Sequence, residues 1–126
     1  VEAAANALIE DGYDFAYIHV EAPDEMGHQG NPQHKIKAIE NIDGKIIPIV
    51  KEQMDASGED YRILVLPDHP TPICLRTHTS DPVPYILYDS RCQQKRRICF
   101  NEAEATAADN YQPLGHKLID MLIEKE

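Results

Sequence analysis

The chain has 126 residues, enough for one compact unit, and a hydrophobic fraction of 42%, enough for a core. Its 22 acidic residues outnumber 12 basic ones, for a formal charge of −10. That excess argues against nucleic acid and anionic membrane as partners, because both select a basic face.

The N-terminal Ala3 to Glu10 is alanine-rich and predicts a helix closed by Asp11-Gly12. A pattern already helical at Glu2 reads as a start inside a larger protein. Asp14 to Val20 is a β-branched and aromatic run, hence a strand. Its near-continuous apolar character predicts burial on both faces, as in a parallel sheet. Glu21 to Asn31, with Pro23, Gly27 and Gly30, reads as a loop.

From Pro32 to about Asp55 the pattern predicts a long helix. Ile36, Ile39, Ile42, Ile46, Ile49 and Val50 recur at three- and four-residue steps. Asn31 and Pro32 suit its N-cap and first turn. Pro48 should kink or divide it, and Ser57-Gly58 should end it. Tyr61 to Leu66 predicts a second buried strand. Helix, strand, helix, strand is the order of an α/β fold with a parallel sheet.

Pro67 to Pro84 is a loop of eighteen residues with five prolines. A loop that long in a compact domain points to function. Tyr85 to Tyr88 predicts a third short strand. Asp89 to Asn110, with the basic run Lys95-Arg96-Arg97, reads as surface. Leu114 to Glu124 predicts a closing helix with Leu118, Met121 and Leu122 on one face. Cys74, Cys92 and Cys99 match no zinc-ribbon or C-x-x-C spacing. They read as ordinary thiols of a reduced, cytoplasmic compartment. No apolar run approaches the ~20 residues that span a bilayer.

The chemistry concentrates in two stretches. Asp24 and His28 lie in Ala22-Pro23-Asp24-Glu25-Met26-Gly27-His28; Asp68 and His69 lie in Leu66-Pro67-Asp68-His69-Pro70; His78 follows in Thr77-His78-Thr79-Ser80-Asp81. Each follows a strand-like run, and open α/β sheets bind ligands outside the carboxyl ends of their strands. Carboxylates and neutral imidazoles suit borderline divalent ions. The reading is a site for one or two divalent metals, whose chemistry is phosphoryl transfer or metal-assisted hydrolysis. Either pair alone is weak; polar loop caps are the plainer alternative. Bound cations reconcile the acidic charge with a phosphorylated substrate.

Other candidates read more plainly. His19, between Ile18 and Val20, reads as a core histidine ahead of a ligand. His34 and His116 read as surface, and Glu21 and Glu25 as solvated acids. Arg76 suits either a phosphate held by two hydrogen bonds or an ion pair with Asp81.

The stretch Asp14 to His28 resembles the cofactor-independent phosphoglycerate mutases of the short, archaeal-type branch, in the alkaline phosphatase-like metalloenzyme superfamily. The loop Asp68-His69-Pro-Thr-Pro to Arg76-Thr-His78-Thr-Ser-Asp-Pro-Val-Pro84 and the closing Gly115-His-Lys-Leu118 agree with it. The resemblance covers nearly the whole chain. It implies a partial alkaline phosphatase-like α/β sandwich, a parallel sheet with flanking helices. Residues 1–126 would be the C-terminal metal-binding portion of the catalytic domain. It implies that Asp24, His28 and His78 hold one ion and that Asp68 and His69 hold a second, with manganese ahead of magnesium or zinc. The activity implied is interconversion of 2- and 3-phosphoglycerate through a phosphoserine. Ser57, Ser80 and Ser90 do not sit in that family's nucleophile setting. No catalytic nucleophile is therefore assigned here, and the isolated chain is expected to be inactive. The rival readings are a homoserine kinase-like or other phosphotransferase or phosphohydrolase of the same superfamily, and a non-catalytic metal-binding module.

Overall fold

The computed structural model describes residues 1–92 and 98–123. The chain divides into two units, Val1–Glu59 with Thr71–Thr79, and Asp60–Pro70 with Ser80–Glu126.

The first unit is helical. Helix α1 (Glu2–Ile9) packs against α4 (Ile47–Ser57), and α2 (Ala22–His28) packs against α3 (Pro32–Asn41). Residues 21–31 depart from the expected loop. Pro23 lies in the first turn of α2, where its missing N–H costs nothing and its fixed φ favours the helix. Asp24 and Glu25 add negative charge where the helix dipole welcomes it. The helix ends in a Schellman arrangement, with Gly30 N–H bonded to Gly27 C=O and Asn31 N–H to Met26 C=O, both at 3.0 Å. Gly30 supplies the left-handed residue this needs, at φ +66°. Asn31 then caps α3, accepting His34 N–H at 3.0 Å.

Pro48 divides the long helix as expected. A π-helical segment, Ile42–Ile46, separates α3 from α4, and Pro48 falls in the first turn of α4. Proline cannot donate to the carbonyl four residues back and its ring clashes there; the wider π turn absorbs both faults. Gly58 closes α4 at φ +74°. Ala5 and Met54 are the buried apolar side chains of this unit, whereas Ile36 and Ile39 of the expected apolar stripe stay more than half exposed.

Residues 14–20 do not form the expected strand. Strand character needs a partner backbone, and no ladder reaches this segment among the described residues. Phe15, Tyr17 and Ile18 are exposed, and so is His19, which is not the core histidine expected. His19 instead stacks on Tyr17 and lies 4.0 Å from Glu21.

The second unit holds the sheet. Strand β1 (Arg62–Val65) pairs with β2 (Ile86–Asp89) in antiparallel register, Arg62 opposite Asp89 and Val65 opposite Ile86. Both strands fall where the sequence puts them, but the pairing is not parallel. A parallel pair needs a crossover element between its strands, and residues 66–85 contain no helix or strand. The partial α/β character stands, since mixed sheets carrying antiparallel strands are common in such folds. Helix α5 (Glu102–Ala107) forms within the expected surface stretch, capped by Asn101. Gly115–Lys117 makes a 3-10 turn leading into α6 (Leu118–Ile123), whose Leu118 is buried. The Lys95-Arg96-Arg97 run lies outside the described residues, as does the end of the predicted closing helix.

Asp89 ties this unit together. Its carboxylate accepts Arg62 Nε at 2.8 Å from the opposite strand, and Arg91 Nε and Nη2 at 3.0 and 2.8 Å. Arg62 Nη1 also donates to Met121 C=O of α6 at 3.2 Å. The hydrogen bonds from Arg91, then those from Arg62, hold the Asp89 carboxyl well below the usual carboxylate range. A depressed folded-state value means that the cluster contributes fully above the unfolded-chain value, near ~3.9, and is lost as pH falls toward the folded one. The difference in thermal midpoint between the wild-type chain and Asp89→Asn should therefore hold steady near neutrality and shrink below about pH 4. Melts followed by circular dichroism across that range check this; a difference independent of pH contradicts it.

Candidate metal centre

Helix α2 places Asp24 and His28 one turn apart, so both side chains leave the same face. Their separation is 3.3 Å, from Asp24 Oδ2 to His28 Nε2. His78, in the 71–79 segment of the same unit, joins them. Its Nε2 lies 3.2 Å from Asp24 Oδ1 and 3.0 Å from His28 Nε2. The three side chains expected to act together therefore converge, half in solvent.

A backbone feature fixes the chemistry of one ring. His28 Nδ1 lies 3.0 Å from the carbonyl oxygen of Arg76. A carbonyl can only accept, so Nδ1 carries a proton, and a neutral ring then turns the lone pair of Nε2 toward Asp24 and His78. Arg76 reaches this position at φ +54°, closing a single turn in which its N–H bonds to Pro72 C=O at 2.8 Å. A side-chain-bearing residue held there stores about 1–2 kcal/mol. The Arg76 guanidinium lies over Gly30; a Cβ at Gly30 would stand 2.4 Å from Arg76 Nε.

A second layer supports Asp24. Thr71, 5% exposed, donates its hydroxyl to Asp24 Oδ1. The Thr71 carbonyl accepts Lys35 Nζ of α3 at 2.7 Å. Gly27 makes this approach possible, because a Cβ there would meet Thr71 O at 2.6 Å and Thr71 Cγ2 at 2.9 Å. Sequence reasoning passed over Thr71, Lys35 and the reason for Gly27. The one available signal was a small polar residue between Pro70 and Pro72.

Asp68 and His69 belong to the second unit. Adjacent residues on a strand diverge, but here the chain bends just past β1. The Asp68 carboxylate turns back on its neighbour, accepting His69 N–H at 3.0 Å with His69 Nε2 3.3 Å away. The two side chains thus face each other.

The donor set around Asp24 fits a borderline divalent ion. Ligands held at about 2.1 Å in a tetrahedron stand ~3.4 Å apart, close to the 3.0–3.3 Å separations here. A family model described as the metalloenzyme superfamily matches residues 1–113. The chain belongs to that superfamily. Its members bind divalent metals, and the carboxylate and imidazoles above are ligands of that kind. The chain is 57% identical over 121 residues to 2,3-bisphosphoglycerate-independent phosphoglycerate mutase 2 of Methanothermobacter thermautotrophicus, covering 96% of this chain and 29% of that protein. It is 41% identical over 123 residues to the 2,3-bisphosphoglycerate-independent phosphoglycerate mutase of Methanothrix thermoacetophila, covering 98% of this chain and 31% of the relative. The solved PH0037 protein of Pyrococcus horikoshii superposes with a TM-score of 0.74 at 25% identity, over 98% of this chain and 36% of that one. The chain thus spans less than a third of the length of these two mutases.

The fit at Gly27 gives a direct check. Gly27→Ala pushes a methyl group into backbone and should cost about 1–3 kcal/mol by overpacking. Gly44→Ala, with nothing within 4 Å, should be neutral or stabilise by up to about 1 kcal/mol. Urea denaturation of the two variants measures this; equal effects would mean that the close approach at Thr71 does not hold in solution.

Proposed function

We propose that this chain supplies the metal-binding part of a phosphoglycerate mutase that interconverts 2- and 3-phosphoglycerate through a phosphoserine. Asp24, His28 and His78 hold one divalent cation; Asp68 and His69 contribute to a second, with the remaining ligands and the serine outside these residues. The reading rests chiefly on one observation: an imidazole bonded through Nδ1 to a carbonyl faces, through Nε2, another imidazole nitrogen and a carboxylate, all within 3.3 Å. The names of these relatives favour the mutase over the kinase-like readings.

Divalent ions, manganese foremost, would supply Lewis-acid stabilisation of phosphoryl charge and lower the pKa of a hydroxyl nucleophile. The chain's own residues do the positioning. The Arg76 carbonyl keeps the His28 ring in one tautomer. The Arg76 guanidinium, which lies over Gly30, would offer two hydrogen bonds to the phosphoryl oxygens of the substrate.

Calorimetric titration of the chain with Mn²⁺ tests the assignment. The three-ligand site should bind measurably; the two-ligand site should bind poorly, since each missing ligand removes part of the binding energy. His78→Ala should abolish the detectable site, and His69→Ala should leave it largely intact. The reverse ranking would assign the ligands to the wrong ions. The 126-residue chain should give no turnover of 3-phosphoglycerate with or without Mn²⁺, whereas the full-length protein that contains it should be active and manganese-stimulated.

A further inference from the structure

We infer that Thr71 is the positioning residue for the Asp24 carboxylate: its hydroxyl holds Oδ1 so that the carboxylate faces His28 and His78. The inference rests on the metal-binding reading of Asp24 and goes beyond it to a residue with no place among the ligands.

Three observations meet at Thr71. It is a buried polar side chain, 5% exposed, and a hydroxyl is buried only when bonded. Its hydroxyl donates to Asp24 Oδ1, the oxygen that also faces His78. Its backbone is clamped independently, with the carbonyl on Lys35 Nζ at 2.7 Å and against Gly27, where no side chain fits. The clamp joins α2, α3 and the 71–79 segment at one residue. A carboxylate on a short helix rotates freely about its Cβ–Cγ bond; a fixed donor on one oxygen removes that freedom before a cation arrives. The entropy of ordering the ligand is then met on folding instead of on binding. Partners of this kind around a ligating carboxylate are typically worth roughly 10–100-fold in metal affinity.

Two substitutions separate the hydroxyl from the shape of the side chain. Thr71→Val keeps both branches and loses the donor. Thr71→Ser keeps the donor and loses Cγ2, the methyl group that packs toward Gly27. A positioning role ranks Thr71→Ser near wild type and Thr71→Val well below; a packing role reverses that order. The readout in the metal-free chain is the ¹³C signal of the Asp24 carboxyl carbon, in protein labelled at aspartate. It should move in Thr71→Val and return toward the wild-type position in Thr71→Ser. The same variants titrated with Mn²⁺ should show about a tenfold or greater loss for Thr71→Val and at most a few-fold loss for Thr71→Ser. An Asp24 carboxyl signal unchanged in all three proteins overturns the role of Thr71. So does tighter Mn²⁺ binding by Thr71→Val than by Thr71→Ser. A wild-type chain that binds no Mn²⁺ overturns the metal reading instead, and the metal-free carboxyl signal still decides whether Thr71 holds Asp24.

Discussion

Two imidazole nitrogens and a carboxylate meet within 3.3 Å of one another, a cluster of lone pairs that needs a proton on a ring nitrogen or a cation among them. The first unit is arranged around that meeting. The 3.6-residue period of α2 aligns Asp24 with His28. The Schellman ending at Gly30 turns the chain at once into α3, so that Lys35 can reach the Thr71 carbonyl. The left-handed turn at Arg76 aims a carbonyl at His28 Nδ1 and leaves His78 two residues on, beside Asp24. Strain at Arg76 and the bare position at Gly27 are local costs, and the close approach they allow is what gathers the three side chains.

How much of this was legible in the sequence depended on the range of the interaction. The meeting of Asp24, His28 and His78 was legible through the family resemblance, since the spacing of Asp24 and His28 alone is a weak signal and His78 lies fifty residues on from His28. The break at Pro48 was legible because proline acts on its own helix. Helix α2 was missed because Pro23 and Gly27 look like turn residues. In the structure proline starts the helix, and the glycine answers to Thr71, forty-four residues away. Thr71 and Lys35 were missed for the same reason: what each does is set by a segment remote in sequence.

The strand expected at residues 14–20 shows the limit from the other side. Composition measures fitness for a sheet, and a sheet needs a neighbour. Among the described residues that run has none and its aromatic side chains face solvent. Strands β1 and β2 do find each other, and the Arg62–Asp89 pair across them ties in α6 through Met121. Few apolar side chains are buried in either unit, in a chain that spans less than a third of the mutases it matches. What it carries is organised around Asp24, Thr71 and His78 more than in a core.

Asp24, His28 and His78 are proposed to bind one cation together. Anomalous diffraction from crystals of the chain grown with Mn²⁺ would locate that ion. One strong peak is expected about 2.0–2.2 Å from an Asp24 oxygen and from Nε2 of both His28 and His78. A map with no peak there, or with manganese held by other residues while these three remain in mutual contact, would contradict it.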